Sequence, residues 1–173
     1  MSRFLINTFF FLGLIVNLNA QIEKDSGYIV RIGEQTPEIS LKLTTGETLE
    51  LADLKGKVVV LQFTASWCSV CRKEMPHLEN EVWQPNKEKD FILIGVDYDE
   101  PLEKVIAFKK QMKTTYPMAL DPGAKIFSKF AKIKSGVTRN VVIDKNGKIV
   151  FLTRLFNQNE FEAMKSVINN LLE

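Results

Sequence analysis

The only two cysteines of this 173-residue chain, Cys68 and Cys71, stand two residues apart in Trp67-Cys68-Ser69-Val70-Cys71. A thiolate is both the nucleophile of disulfide exchange and a metal ligand, so the pair has two chemistries open to it. A bond between the two sulfurs closes so small a loop that it restricts the unfolded chain little. Stapling is therefore a poor explanation. A structural zinc site takes four ligands, whereas the chain adds one histidine, His77, to the two cysteines. Cys-x-x-Cys after a Trp, between a buried strand and a helix, reads instead as a redox dithiol.

The elements that must position the pair are legible on either side. Val58-Val59-Val60-Leu61-Gln62-Phe63 is a continuous apolar run rich in β-branched residues, the pattern of a central strand covered on both faces. From Cys68 to about Trp83 the spacing of Val70, Met75, Leu78 and Val82 is helical, and Pro76 predicts a kink. Cys68 falls at the start of that helix, where free backbone N–H groups and the helix dipole favour an anion. It is expected to ionise readily and to attack first. Cys71 lies one turn deeper on the same face and is expected to resolve the mixed disulfide. The pair sits beyond the end of a central strand, where open α/β sheets place their active sites.

The remaining elements complete an α/β order. Glu38–Leu43 and Thr48–Leu51 alternate around Thr44-Thr45-Gly46-Glu47, a hairpin. Tyr28-Ile29-Val30 predicts a short edge strand and Phe91–Val96 a second buried strand. Pro101 opens a helix, Pro117–Leu120 is extended, and Ala124–Ala131 predicts a helix after the Asp121-Pro122-Gly123 turn. Val141–Ile143 and Ile149–Thr153 flank Asp144-Lys145-Asn146-Gly147 as a hairpin, and Asn157–Leu172 closes the chain as an amphipathic helix. A central mixed sheet covered by helices on both faces, with an N-terminal β-hairpin extension, is the fold expected.

Residues 1–20 differ from the rest. Arg3 precedes an apolar run from Phe4 to Leu18, and Ala20 provides a small residue at a cleavage point. That is the layout of a signal peptide. The run is shorter than the roughly 20 residues of a spanning helix, so no stable membrane span is expected once it is removed. The domain organisation expected is a signal peptide over 1–20, a leader over 21–36 and one domain over 37–173. At 45% hydrophobic and 25% charged, with a net charge of +2, the chain has ordinary globular composition and no electrostatic case for nucleic acid. The lysines at 125, 129, 132 and 134 read as a solvated face.

The stretch Phe63-Thr64-Ala65-Ser66-Trp67-Cys68-Ser69-Val70-Cys71-Arg72-Lys73-Glu74-Met75-Pro76 closely resembles the active-site stretch of the TlpA/ResA-like thiol–disulfide oxidoreductases of the thioredoxin superfamily. Thr36–Ile39, Leu51–Lys57 and Ile143–Ile149 resemble further segments of that family, and the likeness spans about residues 33–173. It implies a thioredoxin-like fold, reduction of protein disulfides, and a periplasmic or exported location. It also implies protein thiols and disulfides of the cell envelope as partners, with a membrane electron donor, and no cofactor or metal beyond the redox-active Cys68–Cys71 disulfide.

Some positions carry paired readings. Glu74 matches the family's acid after the second cysteine; it either exchanges the proton of Cys71 or is an exposed helix acid. Gln62 stands where thioredoxin has a buried acid and cannot titrate. Thr138 falls where the family has a cis-proline facing the disulfide. A non-proline cis bond costs about 3–4 kcal/mol, so a trans bond is expected, and the substrate-docking edge is altered. Thr138 is either a hydrogen-bond partner of a sulfur or plain loop. Arg139 either favours the thiolate or is solvated. Trp67 shapes the site. Two alternatives compete with disulfide reduction. Peroxiredoxins share the fold, but Leu61 and Thr64 do not reproduce their motif and Cys71 is too close to Cys68. A binding module that holds a partner or a metal is the third reading.

Overall fold

The computed structural model describes residues 26–173, so the expected signal peptide lies outside the described residues. The strands are β1 (Ser40–Leu43), β2 (Thr48–Glu50), β3 (Val58–Thr64), β4 (Phe91–Tyr98), β5 (Met118–Asp121), β6 (Arg139–Ile143) and β7 (Ile149–Arg154). They form one mixed sheet in the order β2-β1-β5-β4-β3-β6-β7. The strands β3, β4 and β5 run parallel, and β6 returns antiparallel to β3. All seven residues of β3 are buried, which is why the sequence shows an unbroken apolar run rather than alternation.

The α-helices are α1 (Ser69–His77), α2 (Gln84–Asn86), α3 (Leu102–Met112) and α4 (Gln158–Leu172). On one face of the sheet Val58 and Val60 pack with Met75, Val105, Phe108, Phe161 and Met164 from α1, α3 and α4. On the other, Val59, Leu61 and Phe63 meet Leu51, Leu54, Phe127 and Phe130. That second face is covered by tight 3-10 turns at Leu51–Leu54, Pro122–Ala124 and Phe127–Lys129. Both faces are thus covered as expected, one by long helices and one by short turns.

Three local expectations differ. The helix expected over Ala124–Ala131 is two 3-10 turns. Gly123 and Ala124 both have positive φ, which a right-handed helix excludes, and the Asp121 carboxylate takes the N–H groups of Ile126 and Phe127 at 2.7 and 2.8 Å. The strand expected at Tyr28–Val30 is a single antiparallel bridge between Tyr28 and Ala131. At Pro76 the helix changes its bonding: after α1 the ladder widens to a π-helical segment, Leu78–Trp83, before α2. A proline supplies no N–H, and such a widening is one way a helix absorbs the loss.

Residues 26–36, read from sequence as a leader, pack along the domain. Ile29 N–H donates to Phe130 O at 2.8 Å, Lys132 N–H to Gly27 O at 2.8 Å, and Gly33 N–H to Ile149 O at 2.7 Å. A cavity of about 490 Å³ lies beside the N-terminal hairpin with Ile39, Leu51, Leu54, Val59 and Ile143 in its lining. It is at the opposite end of β3 from the cysteines.

Candidate active site

Strand β3 ends at Thr64, and the turn Ala65–Cys68 closes with a bond from Cys68 N–H to Ala65 O at 3.1 Å. Cys68 is the N-cap of α1, with extended backbone and its sulfur accepting the Cys71 N–H at 3.1 Å. A sulfur in the N-cap position takes one of the donors that a helix start leaves free. The two cysteines are joined as a disulfide with Cα atoms 5.3 Å apart. Cys68 keeps 8% of its surface exposed and Cys71 none.

Thr138 closes the site from the other side. Its hydroxyl lies 3.1 Å from the Cys68 sulfur and 3.2 Å from the Cys71 sulfur, and the residue is buried. It is therefore not a plain loop residue. The described residues contain no cis peptide bond, so the position that carries a cis-proline in the resembled family here carries a hydroxyl aimed at both sulfurs.

Glu74, one turn past Cys71, is 1% exposed and is not a surface acid. Its carboxylate accepts from Asn140 Nδ2 at 2.7 Å and Gln62 Nε2 at 3.4 Å. Gln62 in turn accepts from the Tyr116 hydroxyl at 2.8 Å, and Asn140 Nδ2 also reaches Thr153 Oγ1 at 2.9 Å. Burial pushes the Glu74 carboxyl up to about 7, against the opposing hydrogen bonds from Asn140 and Gln62. Gln62 thus holds the acid instead of being one.

Arg139 is fully buried rather than solvated. Its guanidinium lies 4.6 Å over the Tyr28 ring and 5.9 Å from that of Phe127. Nη2 donates to Ser135 O and Oγ at 3.0 and 2.8 Å, while Nε and Nη1 have no hydrogen-bond partner among the described residues. Burial lowers its pKa, the first of several causes. Its hydrogen bonds go to Ser135, so any influence on the dithiol is that of a charge in a low-dielectric layer. Trp67 is 61% exposed beside the disulfide and meets Tyr98 edge-to-face at 6.3 Å.

Several residues around the pair were not singled out from sequence. Asn140 reads there as loop, and Asp97 follows directly on an apolar strand. An acid at the end of a buried apolar run was the available signal. Glu100, just before the helix that Pro101 opens, accepts from Ser66 N at 2.6 Å and Ser66 Oγ at 2.7 Å.

A mixed sheet with a Cys-x-x-Cys disulfide at the head of the helix that follows its central strand defines a thioredoxin-like thiol–disulfide oxidoreductase. The chain belongs to the Redoxin family, whose profile matches residues 31–172. It is 38% identical over 121 residues to the thiol-disulfide oxidoreductase ResA of Bacillus cereus, covering 70% of this chain and 68% of that protein. Among solved structures, a candidate protein disulfide isomerase from Bacteroides thetaiotaomicron is similar at 58% identity and a TM-score of 0.82, over 84% of this chain and 92% of that one. A candidate thiol:disulfide interchange protein DsbE from Chlorobium tepidum is 28% identical with a TM-score of 0.71, over 83% and 99% of the two chains.

Proposed function

We propose that this protein is exported and reduces disulfides in other proteins of the cell envelope. Cys68, as thiolate, attacks one sulfur of the client disulfide. A Cys68–client bond forms, the client bond breaks, and the departing client sulfur takes up a proton. Cys71 then gives its proton to Glu74 and attacks the Cys68 sulfur. The second client thiolate leaves, and two electrons have passed from the dithiol to the client. The protein ends as the Cys68–Cys71 disulfide and is reduced again by a membrane electron donor.

The observation that carries this reading is the arrangement around the two sulfurs: Cys68 buried but for 8% of its surface, Cys71 wholly buried, and the Thr138 hydroxyl within 3.2 Å of both. A hydroxyl there donates to whichever sulfur is a thiolate, and such charge-assisted bonds are the stronger kind. The buried charge of Arg139 acts in the same direction. Export rests on the charge, apolar run and small-residue ending of residues 1–20.

Reduction of insulin disulfides by the reduced protein tests the reading. Turbidity from precipitating insulin chains is expected with wild type and not with Cys68→Ser. Failure to reduce insulin, together with peroxide consumption or bound metal, would replace it with the peroxidase or metal-module reading.

A further inference from the structure

Besides Glu74, a second buried acid stands on the strand beside β3, Asp97 opposite Thr64. Asp97, near the C-terminal end of β4, is fully buried; no donor among the described residues reaches either carboxyl oxygen, and the side chain it meets is the Glu100 carboxylate, with which a hydrogen bond exists only while Asp97 keeps its proton. An ionised carboxylate in that state is costly. Thr64 pairs with it across β3 and Leu120 across β5. The charges that act on it are Glu100 from the loop after β4, Lys104 from α3 and Asp121 from β5. Burial and then the like charge of Glu100 push the Asp97 carboxyl up to about 8.

Glu100 is what joins this acid to the dithiol. Its carboxylate holds the turn before Cys68 through both Ser66 N–H and Ser66 Oγ, at 2.6 and 2.7 Å. Lys104 Nζ closes on the same carboxylate at 2.5 Å. Arg72 of α1 completes the grip from the other side, its Nε donating to Ser66 O at 2.8 Å. Ser66 is therefore fixed at its amide, hydroxyl and carbonyl. Lys104 pairs with Glu100, and the other charges that act on Asp97, those of Glu100 and Asp121, are negative.

We propose that Asp97 is a positioning residue for the nucleophile: as a neutral acid it lets Glu100 hold Ser66, and on losing its proton to solvent it repels Glu100 and slackens the turn that presents Cys68. The proposal rests on Cys68 being the nucleophile of the function proposed above, and it places an upper pH limit on that nucleophile's reactivity.

Alkylation of Cys68 by iodoacetamide in a Cys71→Ser background, followed by mass spectrometry across pH, tests it without any protein client. The parent rate is expected to rise as Cys68 ionises and then to fall above about pH 8. The fall should be roughly two- to tenfold, the worth of one hydrogen bond of ordinary net strength. Adding Asp97→Asn is expected to abolish the fall. Adding Glu100→Gln is also expected to abolish it, because the repelled charge is gone. A parent profile without the fall, or a fall that survives Asp97→Asn, would overturn the proposal. A fall lost in Asp97→Asn but kept in Glu100→Gln would overturn it too, because Asp97 would then act directly on the sulfur. Circular dichroism confirms that each variant is folded. Failure of insulin reduction with this alkylation pattern intact would count against the proposed client and not against Asp97.

Discussion

The Thr138 hydroxyl lies 3.1 and 3.2 Å from the two sulfurs, where a proline would offer no donor. A thiolate accepts such a bond more strongly than a disulfide sulfur does, so the hydroxyl favours the reduced form. Thr138→Val, close in shape, is expected to lower the reduction potential by about 30 mV, the equivalent of about 1.4 kcal/mol for a two-electron couple. Equilibration with glutathione reads it, and an unchanged potential would deny the hydroxyl its role. Glu74 makes a separate prediction. Burial lifts its folded carboxyl from the ordinary 4.5 to about 7, so the folded state binds that proton more tightly than the unfolded chain does. The resulting stability is complete below about pH 4.5 and is lost as pH rises through 7. Glu74→Gln is expected to remove this decline, so that denaturation midpoints between about pH 5 and 8 become flatter than in wild type. The same substitution is expected to remove a limb near pH 7 from the rate of disulfide reduction. An unchanged pH–rate profile would leave Glu74 with a structural part only.

At the scale of elements, the cysteines depend on β3, α1 and the strands beside them. Gly95 on β4 faces Gln62 across β3, and a Cβ added there would meet Met118 Sδ and the Tyr116 ring. Gly95→Ala is therefore expected to destabilise the fold by about 1–3 kcal/mol, the usual cost of overpacking. It should also disturb the Tyr116–Gln62–Glu74 chain. Urea denaturation measures the first effect, and a midpoint equal to that of wild type would contradict it. The strand β3 and the start of α1 were legible because local patterns set them: an apolar β-branched run, then helical spacing after the cysteines. The two 3-10 turns after Asp121 were not, since Ala124–Ala131 carries helical spacing and the feature that overrides it is a buried carboxylate five and six residues back. Asn140 escaped for a related reason, as did the burial of Arg139, which was legible only as a candidate. Polar residues beside a short apolar run look like loop, and only the pairing of β6 with β3 shows that both are interior. Glu74 was legible as a candidate through its family position, but its burial depends on the packing of α1 against β3 and β6.

Across the whole molecule, a sheet layer separates two kinds of support for one bond. Arg139, Tyr28 and Phe127 lie on the face covered by short turns and the N-terminal segment, while Gln62, Glu74 and Asn140 occupy the face covered by long helices. The proposal of export adds that residues 1–20 are absent from the working protein. Mass measurement of protein recovered from the cell envelope is expected to show a chain beginning at Gln21; an intact Met1 there would reject cleavage. The central claim is the order of events at the dithiol, and trapping tests it most directly. With a disulfide-bearing client, Cys71→Ser is expected to accumulate a mixed disulfide through Cys68, identified by mass spectrometry of the linked peptides, and Cys68→Ser none. Accumulation of the linked client on Cys71 in Cys68→Ser, with none on Cys68 in Cys71→Ser, would contradict the account.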